Sequence, residues 1–445
     1  MRVRDAVLVF LSLFVPFAYF NHSEGWNQGA RLSELHAIVL QGTLSIDAYH
    51  EVTGDKALID GRYYSEKAPV IVLMAIPTFA TTVMAQRFAG IDPDSPEGWR
   101  VSQWVATAGS VGALAALGGV AFFALLRPEL GVPIALVSTY AVFLGSLTFP
   151  YATAMFAHGG TVGLLCVALW AALGHDSRRH DYIAGLFAGL AVASEYPAVI
   201  PCAALTVYLA HVKMPRAWRF AVATVPGAIL ILAKNFLVSG SPFRLGYGSN
   251  PAFPQITSGN AFGFNLPDPQ AMSGLLWGEY RGLFFWCPVL LMAIPGLAIL
   301  FRKRPPVAWL IAIVFGFILL QVSSFYSWYG GYAVGPRYLT PALPFLGLAA
   351  AYGIKRFPIL GVALALPSVL LMTMVAAVAI DPPEDVPTPL RSFYLVRIRD
   401  NRFADNLGTL LGANLPLSLG VLAVIVVASA VWLVRRHRAD PGIGR

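Results

Sequence analysis

Between residues 21 and 67 the chain gathers four Glu, three Asp, two Arg, two Lys and three His. Asp47, Asp55 and Asp60 recur within fourteen positions. A carboxylate at a lipid–water boundary is partly desolvated, which favours its neutral form and raises its pKa. Such a group can take a proton from an acceptor hydroxyl. Asp47 and Asp55 are the candidate bases, with Glu34 a third. Asp47 ranks first, because Lys56 follows Asp55 directly and should keep that carboxylate ionised and less basic. The cations of the segment suit an anion. Lys67 sits where apolar sequence resumes, and Arg62 and Arg31 could meet a phosphate at headgroup depth. One charged loop residue is ordinarily just solvated. A set this dense beside a hydrophobic segment points to chemistry or to polar-ligand binding.

A second string, FYSWYGGYAVGPRYLTPALPFL at 325–346, places Arg337 and Tyr338 after three glycines. Gly330, Gly331 and Gly335 let the backbone approach a ligand closely. Arg337 has no carboxylate beside it in sequence, which favours an anionic ligand such as phosphate. Tyr and Trp at the end of a span also form an interfacial belt. His158, in FPYATAMFAHGG, and Glu195, in SEYP, are further candidates. A lone His is more often structural, and Glu195 is either functional or a helix cap. Lys234, near the end of an apolar stretch, could snorkel to the interface. Cys166, Cys202 and Cys287 lie in or beside apolar runs without metal-ligand spacing and read as buried thiols. The sequence contains no Walker A, HExxH, GxSxG, paired CxxC or dinucleotide fingerprint, so nothing indicates ATP hydrolysis or a redox cofactor. A divalent metal is compatible with the acidic cluster, but no ligand spacing demands one.

The elements that must hold these residues are apolar. Of 445 residues, 57% are hydrophobic and 12% charged, against about 25% charged in a soluble domain. Mean hydropathy is +0.65. Long hydrophobic stretches along the whole length imply an all-α polytopic membrane protein, and the lack of strand alternation argues against a barrel. Spans are expected at about 6–20, 101–126, 132–149, 156–174, 217–238, 283–301, 307–323, 338–353, 357–379 and 416–434. Residues 182–211 read as two short helices turning near Glu195. Residues 68–88 read as broken at Pro77 and returning to the side they left. About twelve membrane helices result, in one integral-membrane domain spanning 1–445 with no visible internal repeat. The first hydrophobic segment reads as an uncleaved span.

Basic clusters such as Arg178-Arg179, Arg302-Lys303-Arg304 and Lys355-Arg356 then share one side, with both termini, and that side is cytoplasmic. The net charge of +8 is thus a topology signal and gives no reason to expect nucleic acid. External loops fall at 21–100, 239–281, 324–337 and 380–415, and residues 239–281 read as a lid or acceptor-side wall. Within the first loop, residues 24–40 have the spacing of an interfacial helix carrying Arg31 and Glu34.

Three stretches carry a resemblance: NQGARLSELHAI at 27–38, GRYYSEKAP at 61–69 and GPRYLTPALP at 335–344. Together they resemble the GT-C superfamily of integral-membrane glycosyltransferases, in the bacterial branch of protein O-mannosyltransferases and lipid A aminoarabinose transferases. The first is similar to that family's acidic first-loop helix, and the second to its tyrosine–lysine–proline re-entry, with Lys67 as the lysine. The resemblance implies a GT-C-like bundle with juxtamembrane helices in a large first external loop. It implies a sugar donor on a polyprenyl phosphate and an acceptor lipid, glycan or protein. Transfer would occur at the external face of the inner membrane, usually with inversion. Lys67, Arg337 and Arg62 would hold the donor phosphate, with Arg31 and Glu34 orienting the site. One departure matters. Where many relatives place Asp-Glu, this chain has Asn27-Gln28, and neither can act as a base. The base is then Asp47, Asp55 or Glu34, and a non-catalytic GT-C-like subunit is an alternative. A transporter or flippase of a lipid-linked sugar is the rival. It would show repeats and a polar site at the midplane, whereas a transferase would keep its polar site at the external face.

Overall fold

The computed structural model describes residues 3–22, 25–257 and 260–439. The apolar runs become helices, and the chain is an all-α integral membrane protein. Helix α1 (Val3–Tyr19) runs up to the loop end of the bundle, where Phe20–Asn21 pairs antiparallel with Asp405–Asn406. The first loop opens with α2 (Trp26–His36), prolonged by a wide turn over Ala37–Gln41 that ends on Gly42 at φ 68°. A hairpin of Lys56–Ile59 against Arg62–Ser65 follows. Its Asp60-Gly61 turn has φ 50° and 78°, the Asp-Gly geometry that matches the twist of paired strands.

Residues 68–88 differ from expectation. Instead of breaking at Pro77 they form one helix, α3 (Val70–Phe88), with Pro77 inside. The lost backbone bond is tolerated because α3 lies antiparallel along α4 (Pro96–Thr107). Gln86 Nε2 donates to the Gly98 carbonyl at 2.8 Å, and a Cβ on Gly109 would meet Thr78. A turn at Ala108–Gly112 joins α4 to α5 (Ala113–Leu130), making one 35-residue rod, about 52 Å long. Then come α6 (Val132–Leu144), the short α7 (Thr148–Ala152), α8 (Ala157–Gly174), α9 (Arg178–Val192), α10 (Val199–Val212) and α11 (Met214–Ser239). The C-terminal part adds Ala293–Lys303, Pro305–Ser323, Leu343–Arg356, Pro358–Val378 and Leu415–Ala439. Among the described residues, seven helices are long and apolar enough to cross a membrane.

Helix α8 is the centre of the bundle and is almost wholly buried. It packs against α5 at Gly118 and Gly163, where a Cβ on Gly118 would come within 2.3 Å of the Gly163 Cα. Lipid offers no hydrophobic drive between helices, so close backbone approach at small residues supplies the packing. Helices α9 and α11 meet in the same way at Gly189 and Gly227. The outer faces of α11 and of Leu415–Trp432 stay exposed and apolar, as lipid-facing surfaces must be.

Candidate functional site

The start of α8, the α9–α10 turn, the start of α3 and the first loop converge at the loop end. Pro69 stops the extended segment Arg62–Ser65 from continuing, and Val70 N–H donates to the Ala193 carbonyl at 3.0 Å. This seats Glu66 and Lys67 beside the turn that carries Glu195. Lys67 is buried. Its Nζ lies 2.7 Å from Asp55 Oδ2 and 2.8 Å from Glu66 Oε1, with the Tyr247 ring centre 5.1 Å away. Burial pulls the ammonium pKa down, but Asp55 and Glu66 outweigh it and hold it above the usual lysine value. Burial pushes the Glu66 carboxyl up, only partly offset by Lys67 and by Asn250 Nδ2, which donates to Oε2 at 2.7 Å. On the other side of Lys67, Lys234 donates to its carbonyl at 2.6 Å and pairs with Glu34 at 2.6 Å.

Two guanidiniums complete the cluster. Arg31 is buried on α2 and donates to the Asn27 carbonyl at 3.2 Å and to the Asn27 side-chain oxygen. Burial lowers its pKa, while the charges of Glu195, Asp55 and Glu34 act to raise it. Arg31 nevertheless forms no ion pair among the described residues, and its Nε has no partner. Arg337 lies over the rings of Phe156 and Tyr338, at 5.5 and 4.9 Å, and donates to the Tyr338 hydroxyl at 3.2 Å. Its Nε is also buried and unpartnered. The Gly330-Gly331 bend beneath it, at φ 78° and 63°, is fastened by the fully buried Arg281, which donates to the carbonyls of Tyr329 and Gly331 at 2.6 and 2.8 Å. Beside Arg337, His158 Nδ1 donates to Glu195 Oε1 at 2.8 Å.

The arrangement gathers four cations, Lys67, Lys234, Arg31 and Arg337, around the carboxylates of Asp55, Glu66 and Glu34. Solved structures of the same architecture exist, although no protein-family model and no curated protein matches the sequence. ArnT from Cupriavidus metallidurans bound to undecaprenyl phosphate superposes with a TM-score of 0.50 at 17% identity, over 97% of this chain and 73% of that one. The apo form of the same protein gives 0.52 at 17%, over 96% and 72%. The oligosaccharyltransferase AglB from Archaeoglobus fulgidus, in complex with an inhibitory peptide and a dolichol-phosphate, gives 0.51 at 14%, over 88% of this chain and 59% of that one. The chain shares the fold of these membrane proteins. This chain is the shorter in each pair.

Within this fold, Glu34, Asp55, Lys67, Arg31, His158, Glu195, Arg337 and Tyr338 fall in one contiguous region. Asp47 and Arg62 do not join it. Asp47 is exposed beyond the hairpin and accepts from the Tyr63 N–H at 2.7 Å. Its slight burial pushes the pKa up, but that bond, Ser45 and the Arg62 charge hold it below the ordinary value, which weakens it as a base. Arg62 is exposed at the hairpin turn. The expected pairing of Asp55 with Lys56 also fails. Lys56 turns away to the His50 carbonyl at 2.5 Å, and the cation on Asp55 is Lys67. Among the described residues no group of three or more His, Cys, Asp or Glu is arranged to hold a metal.

Reading the residues alone passes over Glu66, Tyr247 and Asn250, and leaves Lys234 as a snorkelling side chain. Glu66 adjoins Lys67, and a lysine deep in an apolar helix is itself a signal, so those two were findable. Tyr247 and Asn250 reach in from a loop whose sequence carries no mark of it.

Proposed function

We propose that the chain is a glycosyltransferase that takes a sugar from a polyprenyl-phosphate donor and passes it to an acceptor hydroxyl at the loop end. One observation carries this reading: the buried Arg31 and the half-buried Arg337 form no ion pair among the described residues, and each keeps one buried, unpartnered Nε. A buried cation without a counter-ion is costly, and an incoming phosphate supplies the counter-ion with charge-assisted hydrogen bonds. The undecaprenyl phosphate bound to ArnT and the dolichol-phosphate bound to AglB are ligands of this chemistry on the same fold.

In the proposed reaction the acceptor oxygen attacks the anomeric carbon and the bond from that carbon to the phosphate oxygen breaks. Polyprenyl phosphate leaves with the electron pair. Arg31, Arg337 and Lys67 offset the charge gathering on it. The acceptor proton goes to Asp55, whose Oδ2 rests on Lys67 and whose side chain is 11% exposed. Glu34 neutralises Lys234 and is not free for this task. The polar cluster lies at one end of the bundle and not midway between two similar halves, which supports transfer over transport.

The test is a transfer assay on purified, reconstituted protein with undecaprenyl-phosphate hexoses and pentoses, read as labelled undecaprenyl phosphate released and sugar gained by membrane extracts. Wild type should turn over at least one donor, and Asp55→Asn should bind that donor without transferring it. No release from any donor, or full activity in Asp55→Asn together with Arg337→Ala, would sink the assignment.

A further inference from the structure

His158 and Glu195 hold each other at 2.8 Å, and each side chain is more than nine-tenths buried. Only half of the pair is satisfied. His158 Nε2 and Glu195 Oε2 are both buried and both without a hydrogen-bond partner. A carboxylate only accepts, so Nδ1 carries the shared proton, and in the neutral ring Nε2 is then an acceptor too. Two buried acceptors of one pair thus have no donor among the described residues. Leaving such atoms unsatisfied is unfavourable by about 1–3 kcal/mol each.

Their surroundings narrow what can satisfy them. The His158 ring meets Phe156 at 5.5 Å and Tyr338 at 6.5 Å between ring centres. Those are the two rings over which the Arg337 guanidinium lies. The orphan acceptors are therefore one aromatic ring away from a cation assigned to the donor phosphate. A phosphate cannot be their ligand, because it brings acceptors to acceptors and negative charge to a carboxylate. A polyprenyl tail cannot either, since it has no polar hydrogen. The part of the donor bonded to the phosphate is the sugar, whose hydroxyl or amino groups are donors.

We infer that His158 Nε2 and Glu195 Oε2 form the donor-sugar subsite, accepting hydrogen bonds from hydroxyl or amino groups of the transferred sugar. The inference rests on the reading of the cluster as a polyprenyl-phosphate sugar site. Tyr151, whose ring packs on His158 at 5.1 Å and whose hydroxyl donates to the Val334 carbonyl, holds the imidazole in place. In the sugar-free state ordered water can satisfy these atoms, and the sugar would displace it.

The experiment compares the bare carrier with the sugar-loaded carrier on full-length protein in nanodiscs. The probes are undecaprenyl phosphate and a panel of its monosaccharide esters, hexose and pentose, with and without an amino group. Wild type should bind one ester at least tenfold tighter than the bare carrier. In the near-isosteric Glu195→Gln, and independently in His158→Gln, that preference should fall to twofold or less while bare-carrier affinity stays within twofold. Arg337→Ala should weaken both ligands. Retention of the sugar preference in both variants would mean that the atoms hold water only, and would overturn the subsite. Equal loss of both ligands would reduce the pair to a structural role and overturn it as well. Wild-type protein that binds neither bare nor loaded carrier would instead remove the donor-site reading itself, and the subsite with it.

Discussion

The two ends of the bundle both bury charge, and they do so in opposite ways. At the basic end Asp181 has both oxygens matched: Oδ1 to Arg216 at 2.8 Å and Oδ2 to Arg219 at 2.7 Å. Arg216 uses its remaining fork to cap the end of α8, donating to the carbonyls of Ala172 and His175 at 3.0 and 2.7 Å. Nearby, the half-exposed Glu129 carboxylate is matched by Arg304 and Tyr352, while Lys355 donates to its main-chain carbonyl. At the loop end the ion pairs of Lys67 and Lys234 are equally tight, yet Arg31, Arg337, His158 and Glu195 each keep an unpartnered polar atom. A saturated network belongs to the resting protein and locks helices together. An unsaturated one is complete only with something added.

The sharpest way to break this contrast is to remove one carboxylate from each end. Asp55→Asn should lower turnover by about 10²–10⁴-fold, the usual worth of a general base. Its thermal midpoint should barely move, because Lys67 keeps Glu66. Asp181→Asn should do the reverse. It leaves the buried Arg216 and the half-buried Arg219 short of charge, at about 3–5 kcal/mol, with turnover per folded molecule within about twofold of wild type. Assays and melting curves on the same preparations decide it, and wild-type turnover in Asp55→Asn would reopen the case for Asp47.

Arg337→Ala comes next, with an expected loss of about 10²–10³-fold in transfer, as for removal of one pre-oriented donor from a developing charge. Arg337→Lys should recover little, since a point charge cannot reproduce the guanidinium fork across Tyr338. Full activity in the lysine variant would remove the argument from the unpartnered Nε.

Acidity offers a gentler probe of the loop end. His36 is fully buried on α2, stacked on Trp99 with ring centres 3.4 Å apart, and burial pushes its pKa down to about 4 from 6.5. The unfolded chain binds that proton more readily than the folded one, so stability rises with pH. The contribution of the neutral ring is fully present above pH 6.5 and is lost as pH falls toward 4, at about 3 kcal/mol in all. Melting of wild type should steepen its decline across this window, and His36→Gln should flatten it. Parallel curves for the two proteins would show that His36 does not set the acid sensitivity.

Much of this architecture is legible in the residues. Hydropathy marks the spans, and the charged loop, the Gly-Gly-rich string and Glu195 all mark positions that end up together. Pairing is what sequence distance hides. Asp55 and Lys56 are neighbours in the chain, but the strand that begins at Lys56 turns that side chain toward His50, while Asp55 meets a lysine twelve positions on. Lys234 looks free to snorkel until α2 sets Glu34 beside it, two hundred residues away in sequence. Pro77 looks like a break until α4 supports the helix around it. In each case the deciding partner comes from a segment that local pattern cannot connect.

Asn27 is the smallest change that tests the largest claim. Its side-chain oxygen and its carbonyl both accept from the Arg31 Nη1, so the guanidinium is oriented without being neutralised. An Asp at this position, as the acidic first-loop helix of the resembled family would have, turns an orienting contact into an ion pair. If the uncompensated charge of Arg31 is what draws the donor phosphate, Asn27→Asp should weaken binding of undecaprenyl phosphate by about tenfold, near 1.4 kcal/mol. The same substitution should raise the melting point slightly, because a buried cation gains its counter-ion. Binding and stability should therefore move in opposite directions, which a merely disruptive substitution would not produce. If Asn27→Asp instead binds the carrier as tightly as wild type, Arg31 is held in place for structure, and the anion site contracts to Arg337 and Lys67.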